Sequence, residues 1–401
     1  MKPLLLLFLA LLLTATKTFS QYAWTQEAYY SGYGKWGAVG CSANGIGYIG
    51  SGVNGNTPVA DWWAYNPNSN SWSQVANFPM TYNVNGFAAS ANGKVYSGFG
   101  GSANWYEYDP VANEWTKKAS YPDSTYGPGS VTGFVIGNKI YVGTGQYLGS
   151  ASDSCRLFWS YDVVADKWAQ LASFGGIGRY AAIGFSINGK GYIGSGSTGW
   201  NQLADFWEYD TTANTWTRKA DFPNGGRYQA VGFAIGNKGY FGMGLNESNN
   251  PTQDFYEFNP DSNTWHAVTS YPNTQFDAAW FVIGNVGYCG TGGGGSGSTE
   301  LYEFTGGSDV TGIIKSTSAS NFTIYPNPST GTLSIKTGNA VSNFSVQIYN
   351  SLGEKIFSKS LNNAAPIQNI EMVNPVAGFY EVCITDGQTN TVSTEKLLIV
   401  K

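Results

Sequence analysis

The sequence is poor in charge and lacks any stretch typical of a long helix. Only 12% of its 401 residues are Asp, Glu, Lys or Arg, compared with about 25% in typical soluble proteins. Long helices need runs rich in Ala, Leu, Glu and Lys, and no stretch after residue 20 has that composition. Proteins that bind nucleic acid usually carry a basic stripe, whereas this chain has none and a formal net charge of −5. We therefore expect an all-β protein with no nucleic-acid partner.

Histidine is almost absent, since His266 is the only one in the chain. A Ser-His-Asp or Cys-His arrangement needs a placed histidine, and copper or zinc sites usually recruit two or three imidazoles. His266 directly follows Trp265 on a predicted outer strand, where we expect a surface residue. The glycines at 292–295 lack the lysine of a phosphate-binding loop. We therefore expect no metal, no cofactor and no catalytic residues of these kinds, which favours a non-enzymatic protein without deciding the point.

Long apolar runs are also lacking, apart from one at the N-terminus. Ten apolar residues from Leu4 to Leu13 follow the positive charge of Lys2. This run is too short to span a membrane, and the small residue Ser20 suits cleavage before Gln21. We interpret residues 1–20 as a secretory signal peptide, with an uncleaved anchor as the alternative. We expect no membrane span after cleavage.

Aromatic residues and glycine are abundant, and they recur in a repeated unit. Aromatics make up 16% of the chain and glycine occurs 53 times, a composition that favours short strands and tight turns. One unit recurs every 43 to 53 residues, marked by a tryptophan. These tryptophans are Trp24, Trp72, Trp115, Trp168, Trp216 and Trp265. Seven residues before each of the last five stands an aromatic residue, with an Asn- or Asp-led turn between the two. We expect a hairpin there, and we expect the tryptophans to pack between repeats.

The other half of each unit predicts a second hairpin. An apolar strand and an Asn-Gly or Gly-Asn turn precede a strand that ends in glycine. Each unit therefore has four strands, except that the last one ends near Phe304 without its tryptophan strand. The segment around Trp24 can supply that strand and close a ring. Closure would remove the exposed edges that promote aggregation.

This unit resembles the Kelch repeat, whose marks are a diglycine, a tyrosine and a tryptophan at this spacing. Gly100-Gly101 is the nearest match to the diglycine, and the other units mostly have Gly-x-Gly. The resemblance implies a six-bladed Kelch-type β-propeller over residues 21–305. Cys41 and Cys289 would then lie in neighbouring repeats, either as a disulfide or, as we favour, as two free core thiols.

The composition changes after the repeats. Residues 306–321 are rich in Gly, Ser and Thr and predict a linker. Residues 322–401 predict a small β-sandwich, with Tyr325-Pro326-Asn327-Pro328 near its start and Gly378-Phe379-Tyr380 near its end. These landmarks resemble the type A sorting domain of the type IX secretion system of Bacteroidetes. The resemblance implies that the secretion machinery is a partner, and that the protein passes the periplasm to the cell surface or the medium. A β-sandwich binding module is the alternative.

Candidate binding residues lie in two sets of loops that share one face of the predicted propeller. In the loops that lead into the innermost strands, three cations alternate with aromatics, a combination that suits sugars, especially acidic ones. These candidates are Lys35, Trp36, Arg179, Tyr180, Arg227, Tyr228 and Phe276. Kelch repeats often keep an arginine here for hydrogen bonds between blades, so a structural role is the competing interpretation. The longer loops of the second set add Trp200.

These features predict a secreted or surface protein that recognises glycan or protein through the loop face. Six-bladed bacterial Kelch proteins include sialic-acid mutarotases, so the resemblance leaves a sugar-acting enzyme as one alternative. A structural or adhesive surface protein is the other.

Overall fold

The computed structural model divides the chain into two compact units, one up to Gly306 and one from Gly307. It describes residues 22–80, 83–122, 128–147, 155–293, 297–306, 322–337, 344–350, 355–361, 367–372, 375–376, 378–386 and 392–400. The predicted signal peptide, and the predicted linker beyond Gly306, lie outside the described residues. Within those residues every regular element is a strand, so the all-β prediction is confirmed. No helix in this part of the chain has the length and apolar character needed to cross a membrane.

The first unit contains six four-stranded antiparallel sheets, which we number 1 to 6 and list from the inner to the outer strand. Sheet 1 is Val39–Ala43, Ile46–Gly50, Trp62–Asn66 and Ser71–Val75; sheet 2 is Phe87–Ala91, Lys94–Gly98, Trp105–Asp109 and Glu114–Lys117. Sheet 3 is Thr132–Ile136, Lys139–Gly143, Phe158–Asp162 and Lys167–Gln170; sheet 4 is Ile183–Ile187, Lys190–Gly194, Phe206–Asp210 and Thr215–Lys219. Sheet 5 is Val231–Ile235, Lys238–Gly242, Phe255–Asn259 and Thr264–Val268; sheet 6 is Ala279–Ile283, Val286–Gly290, Leu301–Thr305 and Ala23–Gln26.

The six inner strands form a closed ring. Each contacts the inner strand of the next sheet, and the inner strand of sheet 6 contacts that of sheet 1. They surround an axial cavity of about 210 Å³ lined by apolar and small residues, among them Phe87, Phe134 and Trp280. The sheets therefore radiate from a common axis, which is the architecture of a β-propeller.

Turn chemistry and close packing explain why each unit forms these strands. In sheet 1, Asn44 and Gly45 join the first two strands with φ of 53° and 77°, values that suit a two-residue hairpin and that Asn and Gly tolerate. At the end of the second strand, a Cβ on Gly50 would lie 2.2 Å from the ring of Trp62. Glycine is therefore needed where the next strand places its aromatic ring.

The repeated tryptophans bind each outer strand to the preceding sheet. Every one of the six donates its indole Nε1 proton to a backbone carbonyl of the previous repeat. These bonds are Trp24 to Thr269 (3.0 Å), Trp72 to Ala28 (3.1 Å), Trp115 to Ala76 (2.9 Å), Trp168 to Ala119 (2.8 Å), Trp216 to Ala172 (3.3 Å) and Trp265 to Ala220 (2.9 Å). The tryptophans thus hold the sheets together, and their indole N–H groups are not free to bind ligand.

Sheet 6 takes its outer strand from the N-terminal segment. Ala23–Gln26 pairs antiparallel with Leu301–Thr305, with Trp24 opposite Phe304. Trp24 also packs edge-on against Phe255 and Tyr271, at ring-centroid distances of 5.2 and 4.9 Å. Strands from both ends of the unit therefore complete one sheet.

Cys41 and Cys289 are both buried and form no disulfide. Burial raises the pKa of both thiols well above the ordinary value of 9.0, so they behave as small apolar core residues.

The second unit is a sandwich of two sheets. One contains Phe322–Tyr325, Thr332–Thr337 and Ile367–Glu371; the other contains Lys355–Leu361, Phe344–Asn350, Gly378–Asp386 and Val392–Ile399. Buried residues of both sheets form a single core, which includes Leu333, Ile370, Val346 and Val382. The predicted sandwich is therefore observed in this unit.

Candidate binding face

The two predicted loop sets pair with each other on one face of the first unit. Trp36 pairs with Val53, and Tyr180 pairs with Ser197, in antiparallel bridges. In sheet 5 the pairing extends to two residues, because Arg227–Tyr228 pairs with Leu245–Asn246. The loops before the inner strands and the loops after the second strands therefore form one continuous surface, which we call the loop face.

The three predicted cations lie under this face and are paired with acids of their own repeats. Their side chains are 0%, 0% and 1% exposed for Lys35, Arg179 and Arg227. Lys35 Nζ lies 2.6 Å from Asp61 Oδ1. Arg179 donates to both oxygens of Asp205 at 2.6 and 2.7 Å. Arg227 pairs in the same way with Asp254, at 2.5 and 3.0 Å.

The electrostatics of these pairs favour a structural role for the cations. Burial opposes ionisation of Asp205, but the hydrogen bonds and charge of Arg179 outweigh it, so the pKa of Asp205 lies below its ordinary value. Burial also acts to raise the pKa of Asp254, but Arg227 lowers it below its ordinary value. Each charge is thus neutralised inside the protein, which does not support the expectation that these cations attract acidic sugars.

The same position has a structural role in a repeat that lacks the cation. Arg179 Nη1 donates to Ser195 O at 2.9 Å and Arg227 Nη1 donates to Met243 O at 3.1 Å. Gln275, at the equivalent position, donates to Thr291 O at 2.8 Å. The side chain at this position supports the end of the second strand, whether or not it carries a charge.

The predicted aromatics lie directly after this position and remain at the surface of the loop face. Trp36, Tyr180, Tyr228 and Phe276 are all partly exposed. Tyr228 donates its hydroxyl proton to Asn249 Oδ1 at 3.1 Å, and Gln202 Nε2 donates to the same oxygen at 3.3 Å. The Tyr228 hydroxyl and the amides of Gln202 and Asn249 therefore form one hydrogen-bonded cluster, which joins the loops of sheets 4 and 5.

Trp200 is the most exposed tryptophan of the described structure, with 83% of its surface accessible. It lies in a turn in which Thr198 N donates to Asn201 O at 3.0 Å. The turn is held to the loop face because Ser197 pairs with both Tyr180 and Gln202. Trp200 thus extends from an ordered turn beside the Gln202–Asn249–Tyr228 cluster.

A closed ring of backbone hydrogen bonds lies where the loops enter the inner strands. Each ring residue donates its N–H to the carbonyl of the equivalent residue in the preceding repeat, at 2.9 to 3.2 Å. All six have φ between 49° and 62°, a backbone region that residues other than Gly, Asn and Asp rarely adopt. The ring residues are Gly37, Asn85, Ser130, Ala181, Gln229 and Asp277. We call this feature the backbone ring.

Asp277 is the single carboxyl group on the backbone ring, and sequence reasoning missed it. The Asn85 amide, oriented with its nitrogen toward the carboxyl group, donates to both Asp277 oxygens at 3.1 and 3.0 Å. Burial raises the pKa of Asp277 from 3.8 to about 7. Alignment of the repeats could have found this residue, because the other ring positions hold no acid.

The described part of the loop face offers hydrogen bonds and aromatic surface. Within the described residues, no group of three or more His, Cys, Asp and Glu side chains could hold a metal ion. His266 lies on the outer strand of sheet 5, opposite Glu257, far along the sheet from the inner strands.

The C-terminal unit matches a known family. Residues 323–401 match the model described as "Secretion system C-terminal sorting domain". A domain of this family implies handling by the type IX secretion system, and with it a location at the cell surface or outside the cell. No curated protein matches the chain.

The first unit is similar in fold to a solved structure, that of the protein YjhT. The two share 16% sequence identity with a TM-score of 0.59, over 70% of this chain and 97% of YjhT. Identity at this level shows the fold alone, and it agrees with the radial arrangement of the sheets. The protein is therefore a β-propeller followed by a type IX secretion sorting domain.

Proposed function

We propose that this protein is a secreted or surface-attached glycan-binding protein with a six-bladed propeller of the Kelch type. Six four-stranded sheets in a closed ring support the blade number. The repeated tryptophans and glycine-ended strands support the Kelch resemblance. Export begins with a Sec signal peptide at residues 1–20 and continues through the type IX system by a type A sorting domain at 322–401.

Trp200 is the observation that carries the glycan proposal. A tryptophan that is 83% exposed presents a flat apolar surface to solvent, which the C–H faces of a sugar ring can cover. The neighbouring amides of Gln202 and Asn249 and the hydroxyl of Tyr228 supply directional hydrogen bonds for sugar hydroxyls. A protein ligand and a purely adhesive role are the competing functions.

A glycan array probed with the purified protein tests this proposal. We expect binding to a defined subset of glycans and an affinity about five- to tenfold weaker for Trp200→Ala, because loss of one aromatic contact costs roughly 1 to 1.5 kcal/mol. Val111→Ala is the matched control, since Val111 is 92% exposed but lies in an outer turn of sheet 2. Binding to no glycan would reject the proposal and favour a protein ligand. Equal affinities of wild type and Trp200→Ala would remove Trp200 from the site.

The alternative of a sugar-acting enzyme draws on one specific observation. Asp277 is a carboxyl group with a pKa of about 7 near the mouth of the axial cavity, and such a group can donate or accept a proton at neutral pH. Conversion of free sugars, followed by NMR of the anomeric protons, would favour this alternative.

A further inference from the structure

The Asp277 carboxyl group lies at a position that no other acid of the propeller shares. It belongs to the backbone ring, which lies two to four residues before the residues that line the axial cavity. The aromatics Tyr228 and Phe276 directly precede the ring residues Gln229 and Asp277. Asp277 therefore lies near the axis of the propeller, close enough to Tyr228 for its charge to raise the pKa of that tyrosine.

Neighbouring residues hold the carboxyl group in place without neutralising it. Asn85 reaches it across Gly37, where a Cβ would lie 2.5 Å from the Asn85 amide. Asp277 forms no ion pair among the described residues, because the nearby cations Lys35, Arg179 and Arg227 each have their own acid. Residue 277 as a whole is partly exposed. Burial raises the pKa of its carboxyl group, whereas the two Asn85 hydrogen bonds favour the ionised form.

Tyr228, Asp205 and Asp254 keep a constant charge near neutral pH. Burial, and then the neighbouring Tyr180 and Asp277, raise the pKa of Tyr228 above its ordinary value of 10.0. The pKa values of Asp205 and Asp254 lie below 3.8 because their arginines stabilise the ionised form against the effect of burial. Burial lowers the pKa of Lys35 from its ordinary value of 10.5, and the charge and hydrogen bond of Asp61 oppose this shift. The pKa of about 7 for Asp277 places the change of its charge between pH 6 and 8.

We propose that Asp277, positioned by Asn85, is a proton-sensitive binding group for the hydroxyls of a neutral sugar, and that it excludes acidic sugars when ionised. This inference rests on the proposed function and names its ligand class. A carboxylate accepts hydrogen bonds from two adjacent hydroxyls, and such charge-assisted bonds are stronger than neutral ones. An acidic sugar at the same place would bring a second negative charge against the carboxylate.

The direction of the pH effect on sugar affinity follows because the ionised Asp277 carboxylate is the form that binds. Sugar binding favours loss of the proton, so affinity rises as the pH passes upward through the pKa of Asp277, about 7. If only the ionised form binds, affinity is about tenfold higher at pH 8 than at pH 6. Binding at pH 7 also releases a fraction of a proton to the buffer.

Calorimetry with methyl glycosides of glucose, galactose and mannose tests this inference, with glucuronate as the acidic counterpart. We expect wild type to bind at least one neutral glycoside about tenfold more tightly at pH 8, and to bind glucuronate weakly. Asp277→Asn removes the charge at a position where Asn tolerates the positive φ. We expect its affinity to be equal at both pH values and its discrimination against glucuronate to be lost. His266→Gln is the control, because it removes the one histidine yet should leave the pH dependence unchanged.

Thermal unfolding provides a second measurement that needs no sugar. The pKa of Asp277 is higher in the folded protein than in the unfolded chain, so the protonated carboxyl group stabilises the folded state. This stabilisation is lost as the pH rises from about 4 to 7. We expect the Tm of wild type to fall relative to that of Asp277→Asn between pH 5 and 8.

The outcomes separate this inference from the proposed function. Glycoside binding that does not change with pH, or a pH dependence that persists in Asp277→Asn, would overturn the inference and leave glycan binding intact. No binding of any glycoside or array glycan, at either pH, would reject both. Parallel Tm values of wild type and Asp277→Asn would show that the Asp277 carboxyl group does not titrate in this range.

Discussion

At the scale of single residues, the ion pairs beneath the loop face show how burial decides the role of a charge. Arg179 is fully buried and contacts Asp205 through two hydrogen bonds, a backbone carbonyl through a third and the ring of Phe174 at 4.7 Å. Removing a charge from water is costly, and only such a complete set of partners compensates for it. A buried cation with this many partners stabilises the loops and has little capacity left for a ligand.

We expect Arg179→Met to destabilise the propeller by about 3 to 5 kcal/mol, because it leaves the Asp205 carboxylate without its partner. Arg218→Met is the matched control, since the pair of Arg218 with Asp221 is exposed and should contribute less than about 1 kcal/mol. Denaturant unfolding measures both changes.

The pH dependence of this variant has a defined sign. The pKa of Asp205 is lowered in the folded state, so the pair stabilises the protein above the unfolded pKa and loses this effect as pH falls through the folded value. The difference between wild type and Arg179→Met should shrink below about pH 4. A loss under 1 kcal/mol at pH 7 would contradict the structural role.

At the scale of elements, the outer strands carry the connections between sheets. The tryptophan of each outer strand donates to the previous repeat, and the turn before it contributes a second bond, as when Asn214 Oδ1 accepts from Ala172 N at 2.9 Å. One hairpin therefore satisfies backbone groups of its neighbour that would otherwise lack partners. In sheet 6 this strand comes from the N-terminus, so ring closure depends on the segment around Trp24.

We expect Trp24→Ala to destabilise the propeller by about 2 to 4 kcal/mol, because it removes packing against three aromatic rings and one hydrogen bond. Deletion of residues 21–30 should open the ring and abolish cooperative unfolding at the wild-type temperature. Trp200→Ala is the matched tryptophan control and should leave the unfolding free energy unchanged. A truncated chain that unfolds as cooperatively as wild type, at the same temperature, would argue against closure by this strand.

At the scale of the whole molecule, the loop face and the sorting domain belong to different units. The propeller presents the loop face, whereas residues 323–401 match the sorting-domain family. Each unit has its own buried core in the described structure, so either can change without direct loss of the core of the other.

We expect removal of residues 322–401 to leave the propeller in the periplasm of a bacterium that has a type IX system. Immunoblots of periplasmic and extracellular fractions measure this redistribution. Full-length Trp200→Ala is the control and should be exported like wild type, because its change lies in the other unit. Normal secretion of the shortened chain would contradict the sorting role.

Much of the fold could be predicted because its signals are local or periodic. Asn44-Gly45 defines a hairpin by its own backbone preferences, and the tryptophan spacing repeats along the whole first unit. The candidate aromatics could be assigned to one face because equivalent repeat positions share a face. Whether Trp200 and the other candidate side chains bind a ligand stays a prediction.

The sequence alone determined the all-β class, the propeller architecture and the sorting domain, since these depend on periodic residues and on an ordered set of motifs. Only the tertiary structure decided which charged side chains are already paired within the protein and which are available to a ligand. Lys35, Arg179 and Arg227 are neutralised by acids 26 or 27 residues later in the chain, while Asp277 meets Asn85 from the opposite end of the unit. Such pairings depend on burial and distance across the closed ring, and a charge interacts through space with whatever the fold places beside it.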